Sequence, residues 1–298
     1  LRFLKYLLLA MVLLAGAAIG AIYLLPGPVT RLYIAIERSL SGLERKEIVT
    51  ADGLRMVYLE GGKGEPLMLL HGFSDDKDNF VFVAGALGGR YHLIIPDITG
   101  FGESERPKGA NFGATAQVER LRALAQALKI ERLHLGGSSM GGQISLVWAA
   151  HHPEEVASLW LLDAGGLRTA PASDMSKTAV PDSFDKEKAL AMSDPPDIPK
   201  PILDYIGEQR AKNKALEEII GRDLGAEPPL EPQIEGLSTP SLIVWGKDDH
   251  IINPTAAEIL HRLLPNSRVV LMNGAGHLPM LEQPERSAAD YVAFRASI

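Results

Sequence analysis

Residues 135–142 read LGGSSMGG, two adjacent serines set among four glycines. Glycine and serine together often mark only a turn. The flanks say more: RLHL (132–135) is a short apolar run suited to a strand, and GQISLVWAAHH (142–152) is helical in pattern. Glycines stand at −2 and +2 of Ser139, giving Gly137-x-Ser139-x-Gly141, whereas the frame centred on Ser138 fails because Met140 takes the second glycine position. G-x-S-x-G between strand and helix is the pattern of a nucleophile elbow. Such a turn holds its serine in a strained conformation and leaves no room for side chains two residues away.

A serine hydroxyl needs a base to act as a nucleophile, and the base needs an orienting acid. In this kind of sheet the order along the chain is serine, acid, histidine. Of the eight histidines, His92, His134, His151 and His152 read as structural or surface residues, and His250 as solvent-facing. His277 lies in NGAGHLPMLEQPE, a glycine-bearing loop after the apolar run SRVVLM, where α/β sheets build their sites. For the acid, VWGKDDH offers Asp248 and Asp249, and the spacing Gly-x-x-Asp favours Asp249. Asp163, closing the run ASLWLLD, is a third candidate one strand earlier. Backbone N–H groups of Met140 and of Phe73, in the HGF that follows LMLL, are the expected oxyanion donors.

Further out, EIVTA and LRMVYLE flank Asp52-Gly53 as a hairpin, and PLMLLHG, YHLIIPD, ASLWLLD, SLIVWG and SRVVLM are runs suited to buried parallel strands. Between them TAQVERLRALAQALK holds a helical period through Val118, Leu121, Leu124 and Leu128. An initial hairpin followed by strand–helix repeats predicts an α/β fold with a mostly parallel sheet over residues 46–298. The pattern breaks between about Leu167 and Gly236, which carries charged amphipathic segments and no apolar strand. A helical cap over about 167–236 is expected there.

The chain has 298 residues, 46% of them hydrophobic, a net charge of −7 and no cysteine. That excludes disulfides and thiolate sites, and the mild acidity argues against nucleic acid as a partner. Neither a metal nor a cofactor is expected. Residues 6–25, YLLLAMVLLAGAAIGAIYLL, form a run of twenty without charge or proline, about 30 Å as a helix and enough to span a bilayer. A transmembrane anchor over residues 1–27 is expected, with a cleaved signal peptide or a buried helix as the other readings. Within it Gly16 and Gly20 form a G-x-x-x-G pair able to bring two helices together in a homodimer. Over 28–45, Val29, Leu32, Ile36, Leu40 and Leu43 form one apolar stripe, with Arg31 and Arg38 off it. Such a helix could lie on a membrane surface or pack on the domain.

With these residues in place, the chain resembles the α/β-hydrolase superfamily, through LLHGF, PDITGFGESERP, GGSSMGG, VWGKDDHIINP and GAGHLPMLEQPE. HGFSDDKDNF with GSSMGG, behind an N-terminal apolar helix, is most similar to membrane-anchored monoacylglycerol lipases and bacterial lipases and phospholipases A. Thr99 departs from the proline common at that turn. The resemblance implies an α/β-hydrolase fold with Ser139 as nucleophile, Asp249 as acid, His277 as base, and Phe73 and Met140 as oxyanion donors. It also implies hydrolysis of glycerolipid acyl esters, with lipid esters and membrane lipids as partners. Arg2 and Lys5 favour a cytoplasmic N-terminus, against Arg31, Arg38, Arg45 and Lys46 on the other flank; together with the resemblance this implies a single-pass protein of a bacterial inner membrane with its domain on the periplasmic side. A carboxylesterase of soluble substrates, a C–C bond hydrolase of diketones and a non-enzymatic receptor on the same fold are the competing readings.

Overall fold

A computed structural model of the chain describes residues 7, 11, 16, 17, 19–171 and 184–298. Residues 19–24 are helical, Leu25 interrupts, and Pro26 and Pro28 begin α1, Pro26–Leu40, as proline does well in a first turn. Gly42, at φ 68°, stops it. The sheet then opens with β1 (Leu43–Val49) and β2 (Arg55–Gly62), joined through Gly53 at φ 84°. Next come β3 (Glu65–Leu70), a 3₁₀ turn (Lys77–Phe80), α2 (Val81–Leu87), β4 (Tyr91–Pro96), α3 (Ala114–Ala127), β5 (Leu133–Ser138), α4 (Met140–His151) and β6 (Val156–Leu162). The described residues between β6 and β7 hold α5 (Phe184–Ala191), α6 (Lys200–Ala226) and the short α7 (Glu231–Ile234), and no strand. The chain closes with β7 (Ser241–Gly246), α8 (Ala256–Leu263), β8 (Ser267–Met272), α9 (Pro279–Glu282) and α10 (Pro284–Arg295).

The eight strands pair in the order β1-β2-β4-β3-β5-β6-β7-β8, antiparallel at β1–β2 and β2–β4 and parallel from β4 to β8. Each apolar run read as a strand forms one of these strands. The central ones are apolar throughout because helices cover both sheet faces. Alternation divides their side chains between two cores. Met68, Leu70, Leu159 and Leu161 join α3, α4 and α8 on one face. Leu67, Leu69, Trp160 and Leu162 join α2 and α10 on the other, where Trp160 stacks on Tyr291 at 4.6 Å between ring centroids. Edge strand β1 carries Glu44, Arg45, Lys46 and Glu47, charges that discourage pairing with another sheet.

One turn ties the sheet to α1. Lys77, buried to 1% exposure, places Nζ 2.8 Å from Asp97, which is fully buried after β4. Its neighbour Asp78 receives both arms of Arg38 from α1 at 2.6 Å. Arg31 donates to the Tyr205 hydroxyl, and the Tyr205 ring lies over Gly27. The domain therefore holds α1 by its arginines, and Leu32, Tyr33, Ile36 and Leu40 face outward, Leu40 with 76% exposure. The helix expected over 28–45 ends at Leu40, where Gly42 turns the chain into β1; of its stripe, Leu43 is buried at the start of that strand and Val29 is half-buried.

Much of the expected membrane span at residues 6–25 lies outside the described residues. Among the described residues no helix is long and apolar enough to cross a membrane. Gly16 and Gly20 border open space.

Candidate active site

Ser139 sits between β5 and α4 at φ 51° and ψ −114°, a conformation uncommon for any residue but glycine. Its neighbours explain how the strain persists. A Cβ on Gly137 would collide with the Gly141 carbonyl, and one on Gly141 with the Leu70 carbonyl at the end of β3. Gly142 leaves space for Ala164. Three strand ends thus close around the turn. The Ser139 N–H donates to Leu162 O at 3.0 Å, and its carbonyl accepts from Gly165 N at 2.8 Å, which fixes the turn from the β6 side. Ser138 points its hydroxyl into the core, where it is fully buried without a partner.

The loop after β3 lies against this turn: a Cβ on Gly72 would be 3.4 Å from Ser139 Cβ. His71, fully buried, shapes that loop with both ring nitrogens. Nε2 accepts the Ile98 N–H at 3.0 Å, so the proton resides on Nδ1, which donates to the Gly72 carbonyl at 2.7 Å. Asp75 N–H donates to the same carbonyl. The peptide is planar and trans, so holding Gly72 C=O on one side turns Phe73 N–H to the other. Met140 N–H lies at the first turn of α4, the positive end of that helix.

β8 is three strands from β5, at about 4.8 Å each, so the loop after β8 must fold back for His277 to approach. It does so over the end of β7. Lys247 N–H donates to Met272 O at 2.9 Å and Asp248 N–H to Ala275 O at 3.0 Å. Gly246 has no side chain because the carbonyls of Ala275 and Gly276 pass directly across it. Glu282 secures the loop by accepting N–H bonds from Gly276 and Ser193, each at 2.7 Å. The end of α5 and the residues after it join in: Ala191 O accepts the His277 N–H at 2.6 Å, and Ser193 Oγ lies 2.9 Å from Asp248.

His277 Nδ1 donates to Asp249 Oδ2 at 2.8 Å, leaving Nε2 as the basic nitrogen. Trp245 Nε1 donates to the same oxygen at 3.1 Å, and Ile251 and Ile252 N–H donate to Oδ1 at 2.8 and 2.9 Å. Burial alone would raise the Asp249 carboxyl, but the His277 charge and hydrogen bonds from His277, the Ile252 N–H and the Asp163 carboxyl hold it below its usual range. Asp248 is turned toward Ser193 instead, so Gly-x-x-Asp spacing picks out the residue that meets the histidine. His92, His134, His151 and His152 bond to Glu60, Ser158, Gln233 and Glu119, away from this cluster.

Asp163, Asp249 and His277 bring ligand-type atoms within 4.8 Å of one another. Asp249 and His277 Nδ1 are committed to one another and to N–H donors. The Trp245 and His71 hydrogen bonds escape a reading by motif. Both residues border quoted motifs, yet each reads there as an ordinary strand end or turn. Their roles emerge only when distant loops meet.

A mostly parallel sheet, a serine in a strained strand–helix turn and a histidine–aspartate pair on the loops after β8 and β7 define the α/β-hydrolase class. The chain belongs to the alpha/beta hydrolase fold family, whose pattern matches residues 65–212 and 204–284. It is 40% identical over 281 residues to Lipase 3 of Moraxella sp., covering 89% of each chain. To Monoacylglycerol lipase ABHD6 of Rattus norvegicus it is 26% identical, covering 95% of this chain and 91% of that one. The crystal structure of a membrane phospholipase A superposes with a TM-score of 0.87 and 36% identity over 98% of both chains.

Proposed function

We propose that the protein is a membrane-bound serine carboxylic-ester hydrolase acting on glycerolipid acyl esters. The observation that carries the reaction type is Ser139 at φ 51°, walled by glycines, at the head of α4. In this reading Ser139 Oγ attacks the ester carbonyl while His277 Nε2 takes its proton. Asp249 fixes the histidine tautomer and stabilises the imidazolium. The oxyanion is held by the N–H groups of Phe73 and Met140, each contributing about 2.7–4 kcal/mol to transition-state stabilisation. His277 then protonates the departing alcohol, and water, activated by the same base, releases the acid from the acyl-enzyme. No metal or cofactor takes part.

The lipid class rests on the company the chain keeps and on α1. Its relatives are lipases, a monoacylglycerol lipase and a membrane phospholipase A. The outward row Leu32, Tyr33, Ile36 and Leu40 suits a helix lying in a lipid interface, directly after the apolar run 6–25. In this reading that run is a single-pass anchor in a bacterial inner membrane with the domain on the periplasmic side. Gly16 and Gly20 then offer a face for a second copy. Purified full-length protein should be assayed on short and long acyl esters, monoacylglycerols, lysophospholipids, diacyl phospholipids and a diketone. Long-chain glycerolipids are expected to be the better substrates, and Ser139→Ala is expected to abolish both turnover and fluorophosphonate labelling. Turnover confined to short soluble esters would refute the lipid assignment, and labelling of Ser139→Ala would refute the nucleophile.

A further inference from the structure

Asp163 is a fully buried carboxyl that the reaction above does not use. It follows directly after β6, in the left-handed region at φ 46°, its N–H bonded to Val244 O at 3.0 Å. Aspartate tolerates that region better than most residues, but the conformation is costly and persists only where the surroundings enforce it. Here it aims the carboxyl beneath the Asp249–His277 pair, with one oxygen of each acid and one His277 nitrogen within 4.8 Å.

The two acids are supplied with donors very unequally. Asp249 accepts from Trp245, His277, Ile251 and Ile252. Asp163 accepts one N–H, from Gly246 at 2.9 Å, and no group donates to its Oδ2, which is sealed from water. The other charges nearby are Asp249 itself, Glu282 and His277 when protonated. Two carboxylates side by side cannot both ionise at ordinary cost, and the one lacking donors keeps the proton. Burial, then the Asp249 charge, pushes the Asp163 carboxyl well above the usual carboxylate range.

We propose that Asp163 is a positioning residue that remains a neutral carboxylic acid and donates its O–H to the Asp249 carboxylate. The proton stays on Asp163 throughout turnover. The bond supplies Asp249 with a further donor, holds its plane against the His277 ring and tempers its basicity, so that His277 is not over-stabilised as imidazolium. The inference rests on the Ser139–His277–Asp249 reading for its consequence, but the protonation state of Asp163 is measurable without turnover.

Asp163→Asn separates the possibilities, because an amide can still accept from Gly246 and donate to Asp249 while carrying no titratable proton. With a short soluble ester, kcat/KM of Asp163→Asn should stay within about threefold of wild type, with the acid limb of its pH profile unmoved. Asp163→Ala, which loses the donor, should fall about tenfold in kcat/KM. Its acid limb should move up by about half a pH unit, because a more basic Asp249 favours protonated His277. Difference infrared spectra of wild type minus Asp163→Asn at pH 7 should contain one carboxylic-acid carbonyl band. Subtraction removes the other acids that burial raises, Asp75, Asp78, Glu217 and Glu282. The band should persist in Ser139→Ala, which tests the nucleophile separately. An absent band, or a downward move of about one pH unit in the Asp163→Asn limb, would mean that Asp163 is ionised and overturn the proposal. Equal losses in both variants with unmoved limbs would show a purely structural residue and overturn it too. If Asp163→Ala does not fold, Asp163→Asn and the infrared band decide alone.

Discussion

His71 makes two hydrogen bonds with different consequences, and the two can be broken separately. Its Nδ1–H holds Gly72 C=O and so aims the Phe73 N–H, while Nε2 satisfies the buried Ile98 N–H. An asparagine amide reaches about as far as Nδ1, and a glutamine amide about as far as Nε2. His71→Gln therefore keeps Ile98 satisfied and releases the Gly72–Phe73 peptide. Its kcat should fall about 10²–10³-fold, the cost of one oxyanion donor, with little change in KM. His71→Asn keeps the peptide aimed and orphans one buried N–H, at about 1–3 kcal/mol. For a domain of this size that lowers Tm by about 3–10 °C, with kcat within a few-fold of wild type. Steady-state kinetics on a soluble ester and thermal unfolding read the two effects. Equal kcat losses in both variants, or an unimpaired His71→Gln, would refute the assignment of Phe73 as a donor aimed by His71.

Other perturbations have equally definite outcomes. Ser138→Ala removes a buried hydroxyl without a partner, so activity should be retained and Tm should hold or rise, whereas loss of activity would give Ser138 a role it lacks in this structure. Lys77→Met strands the buried Asp97 carboxylate, at about 3–5 kcal/mol, lessened by the Lys77 and Glu103 N–H bonds that remain, and denaturant unfolding should register it. His134 is pushed down to about 4 by burial and then by the Arg295 charge, with Glu65 opposing. Its folded pKa is depressed, so the unfolded chain binds the proton first, and stability is lost as pH falls from about 6.5 to about 4, by about 3 kcal/mol at most. His134→Gln should flatten unfolding free energy against pH across that window, and an unchanged slope would count against it.

The sheet was legible because its strands are apolar on both faces, so PLMLLHG or SLIVWG has few other folds open to it. The elbow was legible because its requirement is local: two glycines at fixed distances from one serine. Asp249 was legible through spacing alone. The Trp245 and Asp163 contacts were not, because they depend on the loop after β8 crossing the end of β7, and no local pattern records a crossing. Gly246 and Gly276 carried the trace of it as missing side chains. The orientation of α1 was also hidden. Its stripe shows that one face is apolar, but only the pairing of Arg38 with Asp78, forty residues away, decides which face the domain takes.

The bonds from Ala191 and Ser193 to the His277 loop bear on how the helical layer is held. Backbone, hydroxyl and carboxylate contacts stitch this end of the helical layer to the loop that carries His277. That end of the layer is therefore tied to the loop that holds His277 against Asp249. On the far side of the layer, α6 lies against the loop after β3, with Gly221 beside the Phe73 ring. The helical layer is thus fastened at two separate places, to the loop that carries His277 and to the loop that carries Phe73.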